Sequence, residues 1–206
     1  NTGNNRTSST SNSVRLGRTA GANGVLTIRN NNINHGVQGW TIIGESGNGV
    51  FNFNDTGSTT GEYTSNGDMR IGMNAGSTGI LNVGAGTIRA DTGRVWYVGQ
   101  VADGTINLSG GRVFANTDFR IGDGALANGT VNLSGTGELL IASNSADLMI
   151  GINGQGTLNQ TGGDVTTAFN YVSLGVNAGS NGTYTMSAGT LDASNAEFFG
   201  VGVRGH

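Results

Sequence analysis

The chain has 206 residues, 39 of them Gly, with neither Pro nor Cys, 11% charged residues and a formal net charge of −3. That length suits one domain, and a charge this mild excludes the electrostatic footprint of a nucleic-acid or membrane binder. The absence of Cys removes thiolate metal sites and disulfides. No apolar run approaches the roughly 20 residues a helix needs to cross a bilayer.

A Gly-rich, Pro-free composition without period would indicate low complexity, so order depends on an internal repeat. The first predicted element is a short segment ending in Gly: VRLG, TIIG, MRIG, WYVG, FRIG, LMIG, VSLG and FGVG. Its Gly residues are Gly17, Gly44, Gly72, Gly99, Gly122, Gly151, Gly175 and Gly202, separated by 23 to 29 residues. Two apolar columns precede them. One is Val14, Thr41, Met69, Trp96, Phe119, Leu148, Val172 and Phe199; the other is Leu16, Ile43, Ile71, Val98, Ile121, Ile150, Leu174 and Val201. Only Thr41 among these is polar.

The second element begins after a further Gly and reads GVLTI, GVFNF, GILNV, GTINL, GTVNL, GTLNQ and GTYTM. Leu26, Phe51, Leu81, Ile106, Val131, Leu158 and Tyr184 form one column. Ile28, Phe53, Val83, Leu108, Leu133, Gln160 and Met186 form the next, two residues on. Alternation with one apolar face predicts half-buried strands. The third element is weaker, with Ile33, Tyr63, Ile88, Val113, Leu139, Val165 and Leu191 as its apolar residues. It follows Gly-rich turns, where Gly supplies the positive φ that such turns require.

Three short strands per coil predict an all-β fold: a right-handed, three-sided parallel β-solenoid of about eight coils. A coil alone buries little, and stacking builds a continuous core. Residues 1–13 read as a polar N-terminal arm and 14–206 as the solenoid domain. No segment has the 3.6-residue apolar period of a helix.

Units such as DFRIGDGALANGTVNLSG and YVSLGVNAGSNGTYTMSAG resemble the repeat of autotransporter (type V secretion) passenger domains and of surface proteins with a PEP-CTERM sorting tail. The resemblance covers residues 14–202. It implies an exported bacterial β-helical protein, at the cell surface or released, and carries no catalytic residues to transfer. Neither the sorting tail nor the membrane barrel of those families is found in the sequence.

Several residue sets invite a chemical reading. Arg112, Glu138 and Asp164 occupy consecutive coils on the outward side of the third element. Two carboxylates about 5 Å apart, the coil spacing, would suit a retaining glycosidase. The plainer expectation is a solvated charge ladder, since coils of near-constant length leave no loops to wall a cleft. Asp68, Asp118 and Asp147, with Arg15, Arg70 and Arg120, sit just before the anchoring Gly residues and read as surface ion pairs. Trp40, Ile42, Val95, Tyr97, Met149, Tyr171 and Phe198 share those outward columns, giving a mixed apolar face suited to lateral contact. Thr105, Asn107, Thr130, Asn132, Thr157, Asn159, Thr183 and Thr185 form a T-x-N/T array that resembles ice-binding solenoid faces or, more simply, an amide and hydroxyl ladder. Val25, Val50 and Ile80 interrupt its Thr column. His35 and His206 are isolated, so neither a metal nor a cofactor is expected.

The first functional expectation is a non-enzymatic structural subunit of an extracellular fibre or matrix. It would polymerise head to tail through Val14, Leu16, Leu26 and Ile28 at one end and Met186, Leu191, Phe199 and Val201 at the other. The last coil stops after its first strand, and the segment before Val14 falls where a third strand would, so the ends read as a lap joint. The alternative is a surface adhesin or glycan-binding stalk, whose only candidate tip is the turn NDTGSTTG of the second coil. A polysaccharide-degrading enzyme and an ice-binding protein follow.

Overall fold

The structure, a computed structural model, describes residues 12–29, 35–54, 61–168 and 171–203. Most of the polar arm, Ile33, the NDTGSTTG tip from residue 55 to 60, and His206 lie outside them. Among the described residues every regular element is a strand and every strand pair is parallel, so the chain is an all-β parallel solenoid.

The first element forms one eight-stranded ladder of Val14–Leu16, Thr41–Ile43, Met69–Ile71, Trp96–Val98, Phe119–Ile121, Leu148–Ile150, Tyr171–Leu174 and Phe198–Val201. Eight rungs enclose seven steps, so the solenoid has about seven turns and not eight. Its register never slips: Val14 pairs with Thr41, Thr41 with Met69, Met69 with Trp96 and Trp96 with Phe119. Second and third elements belong to a single twelve-stranded sheet. They are separate strands in the earlier coils but fuse into Gln155–Thr167 and Asn181–Asp192 in the later ones, whose mutual register shifts at the corner, between Gln160 and Asp164.

Glycine sets the corner between the first two elements. Gly122 has φ 72°, a conformation open to Gly without steric cost, and a Cβ there would also strike the Gln155 carbonyl of the next coil. Gly129, which opens the following strand, has an ordinary φ, yet its Cβ would collide with the Gly122 nitrogen and the Val98 carbonyl. The backbones meet there, leaving no room for a side chain.

Both predicted inward columns are core. Met69, Ile71, Trp96, Val98, Phe119, Ile121, Leu148 and Ile150 are all 0% exposed. Leu81, Ile106, Val131 and Leu158 stack beside them with Ile88, Val113, Leu139 and Val165 from the third element. Phe51, Phe53 and Tyr63 meet edge to face, with centroids 5.0 to 6.4 Å apart. Trp96 packs on Phe119 and donates its indole N–H to the Phe114 carbonyl at 3.1 Å.

In the first coil the third element runs from His35 to Val37, and Tyr63 pairs with His35. The sequence reading placed Ile33 in that column, two residues early. A run of polar Asn residues around Ile33 offers no alternation by which to fix register.

Candidate functional site

The surfaces assembled by this stacking are two axial edges and the outer faces of the ladders. At the first edge Val14, Leu16, Leu26 and Ile28 are half-buried. Asn12 and Ser13 lie beside the second coil, where the Asn12 carbonyl accepts from Gly39 N and the Ser13 hydroxyl from Trp40 N. At the other edge Met186 is 46%, Phe199 49% and Val201 73% exposed, although their columns are buried throughout the middle coils. Leu191 is half-buried against the core.

Polar residues enter the core near both edges. Thr41 hydrogen-bonds the Tyr63 hydroxyl at 2.8 Å and donates to Ser65 Oγ at 3.0 Å. Burial pushes the Tyr63 phenol up to about 12 against the opposing Thr41 hydrogen bond. Towards the other edge Gln160, 0% exposed, donates to the Gly163 and Thr190 carbonyls at 2.8 and 2.9 Å and accepts the Tyr184 hydroxyl. Thr41, Tyr63, Ser65 and Gln160 thus each have partners, as burial demands.

On the outer face of the first ladder, the expected pairs form. Arg70 meets Asp68 and Arg120 meets Asp118, both at 2.8 Å. The free oxygen of each Asp reaches the next coil: Asp68 Oδ1 accepts from Val95 N at 3.1 Å and Asp118 Oδ1 from Asp147 N at 3.2 Å. Asp147 Oδ1 accepts from Tyr171 N in turn, at 3.1 Å. Reading these carboxylates as surface ion pairs missed this bridging, whose signal was the recurrence of Asp four residues before the anchoring Gly.

The proposed lateral face is partly closed. Ile42 is 0% exposed and offers nothing to a partner, contrary to the expectation. It stands between Arg15 and Arg70 in register, and long guanidinium side chains cover apolar neighbours with their stems. Arg70 also lies 4.2 Å over the Trp40 ring and 5.4 Å from that of Tyr97, and Arg120 approaches Tyr97 at 5.5 Å. Trp40 and Tyr97 are therefore engaged within the chain. Burial, opposed by the Arg120 charge, raises the Tyr97 phenol. Met149 is half-buried, whereas Tyr171 and Phe198 are 43% and 44% exposed and meet edge to face.

Arg112, Glu138 and Asp164 are adjacent in register, as the sequence indicated. Arg112 holds one Glu138 oxygen through both Nε and Nη2 at 2.7 Å. An open groove of about 310 Å³ is lined there by Thr87, Arg112, Thr136 and Glu138. Its one carboxylate is already paired, so the arrangement is that of a charge ladder.

The T-x-N face is an amide ladder. Asn82 donates to Asn52, Asn107 to Asn82, Asn132 to Asn107 and Asn159 to Asn132, at 2.7 to 3.0 Å. The neighbouring column keeps register from Val25 through Val50 and Ile80 to Thr105, Thr130, Thr157 and Thr183. No group of three or more His, Cys, Asp or Glu residues able to hold a metal occurs among the described residues. Comparison with family models, curated proteins and solved structures finds no match to the chain.

Proposed function

We propose that the chain is a structural subunit of an extracellular bacterial fibre or surface matrix, without catalytic activity, whose solenoids stack end to end. The observation that carries this reading is the exposure of Met186, Phe199 and Val201, in columns that are core everywhere inward of them. A further coil stacked on that edge would bury it, and a second copy presents Val14 and Leu16 in the columns of Phe199 and Val201. Strand addition supplies the hydrogen bonds, and a head-to-tail contact between unlike surfaces generates an open filament. Export to the cell surface rests on the repeat's resemblance to surface proteins.

Val201→Arg tests the mechanism. It places a guanidinium at the centre of the axial contact while the middle coils keep their core. Sedimentation velocity at rising concentration should show long assemblies for the parent chain and a single species for the variant. Assembly that persists unchanged in the variant would sink the axial route.

The exposed Tyr171 and Phe198 rings favour a second reading, a surface adhesin or glycan-binding stalk. A part-exposed aromatic pair, one ring carrying a hydroxyl, suits recognition of another surface. Glycan-array binding lost in Tyr171→Ala with assembly intact would establish it.

A further inference from the structure

One edge of the solenoid carries a period that the coil repeat does not explain. Between the Gly ending the first strand and the Gly opening the second, the chain advances seven residues (17 to 24), then five (44 to 49), then seven (72 to 79). Five (99 to 104), seven (122 to 129), five (151 to 156) and seven (175 to 182) follow, without exception. The four long turns close alike, through Ala22 N to Thr19 O, Ser77 N to Asn74 O, Ala127 N to Gly124 O and Ser180 N to Asn177 O. Their tips at 20–21, 75–76, 125–126 and 178–179 are exposed, whereas the short turns bury their middle residues Gly47, Ala102 and Gly154. The edge is thus corrugated, with one ridge every second coil, about 10 Å apart at the usual strand spacing.

One trough is open. Gly47 and Gly154 tuck so closely beneath the preceding long turn that a Cβ would strike its carbonyls. In the fourth coil Ala102 takes that place, and a hollow of about 190 Å³ opens, lined by Ala75, Ser77, Val101, Ala102 and Leu126. That is several times the ~30 Å³ a water occupies in the liquid, enough for an aliphatic side chain. Two observations mark it as unfilled. Leu126, at the ridge beside it, is 77% exposed. Ser77 is 2% exposed, yet its hydroxyl has no partner, whereas Ser180 in the same column bonds back to Asn177.

We infer that this corrugated edge is the seam of an antiparallel, two-fold dimer, in which Leu126 of each copy fills the hollow of the other. The occupant is a second copy because a partner must present ridges at the same two-coil interval along the edge, and this chain does so by construction. An antiparallel pair with its axis between the fourth and fifth coils sets three of the four ridges over a trough, the first turn alone lying beyond the partner's last trough. The fifth turn then faces the partner's fourth, the third its sixth, and the seventh its second. Both hollows fill together, as an isologous contact requires. The seam runs along the solenoid side, independent of the axial edges.

The test uses the whole chain. Sedimentation velocity of Val201→Arg, in which axial stacking is blocked, should still show a dimer, and adding Leu126→Arg should weaken dimerisation at least tenfold without altering the unfolding temperature at dilutions where both chains are monomers. Registry is read with Ala75→Cys combined with Asn153→Cys, three coils apart in one chain and beyond the ~7 Å Cα limit for a disulfide. Mild oxidation should give a chain-to-chain disulfide. A Val201→Arg chain that stays monomeric at millimolar concentration would overturn the inference. So would a dimer indifferent to Leu126→Arg, or a chain-to-chain disulfide, seen as a covalent dimer, formed by Ala75→Cys with Ser46→Cys in place of the Asn153 pair, the signature of parallel packing.

Discussion

Ile121 shows how much of the core follows from period two alone. It is 0% exposed in the middle of the first ladder, as the alternation of FRIG predicts. Ile121→Asp would bury a carboxylate with no partner, costing several kcal/mol. Thermal unfolding should drop well below that of the parent, and an unchanged midpoint would refute the inward assignment. Alternation states which way a Cβ points but not whether it is covered: Ile42, outward in register between Arg15 and Arg70, is nonetheless buried. Nor does it reveal a second use for a side chain, such as the bridge from Asp147 to Tyr171 N. Burial raises the Asp147 carboxyl above its usual 3.8, helped by Asp118 and opposed by the Tyr171 N–H and Arg120. The folded chain then binds that proton more tightly than the unfolded one, so this group's contribution to stability falls as pH climbs from 3.8 through the raised value. Asp147→Asn keeps an acceptor for Tyr171 N and should be relatively more stable above that window, the advantage vanishing in strong acid. Urea midpoints across pH measure the crossing.

Strands and corners were unequally legible. The first two elements repeat with fixed anchors, and their predicted columns coincide with the observed registers. The third element lacks a strong anchor, and in the first coil its register rests on His35, which no apolar pattern marks. Fusion of the second and third elements into Gln155–Thr167 and Asn181–Asp192 was also not legible, because Gly at the corner reads as a break whether or not pairing continues through it. Two glycines separate the roles of this residue. Gly129 is excluded from bearing a Cβ by backbone contact, while Gly76 has φ 78° and nothing within 4 Å of a built Cβ. Gly76→Ala should cost only the left-handed backbone strain, about 1 kcal/mol. Gly129→Ala should cost several times more, since two coils must part. Denaturant titration of the pair would contradict this account of the corner if the order were reversed.

Over the whole molecule, stability is a sum of coil interfaces, so damage in the middle coils separates two stacks while damage at an edge trims one. The composition that would otherwise indicate disorder is what such stacking uses: Gly where backbones touch, Asn where amides ladder, and β-branched residues at the core. The proposed stacking follows the same logic: the apolar columns that end in exposed Phe199 and Val201 would be completed by the first coil of the next copy. The most direct test of this end-to-end stacking is electron microscopy of the intact chain at rising concentration. Unbranched filaments with a subunit repeat near 38 Å, eight rungs of the first ladder at ~4.8 Å each, are the predicted result. Separate short rods at every concentration, with no change on Val201→Arg, would contradict it.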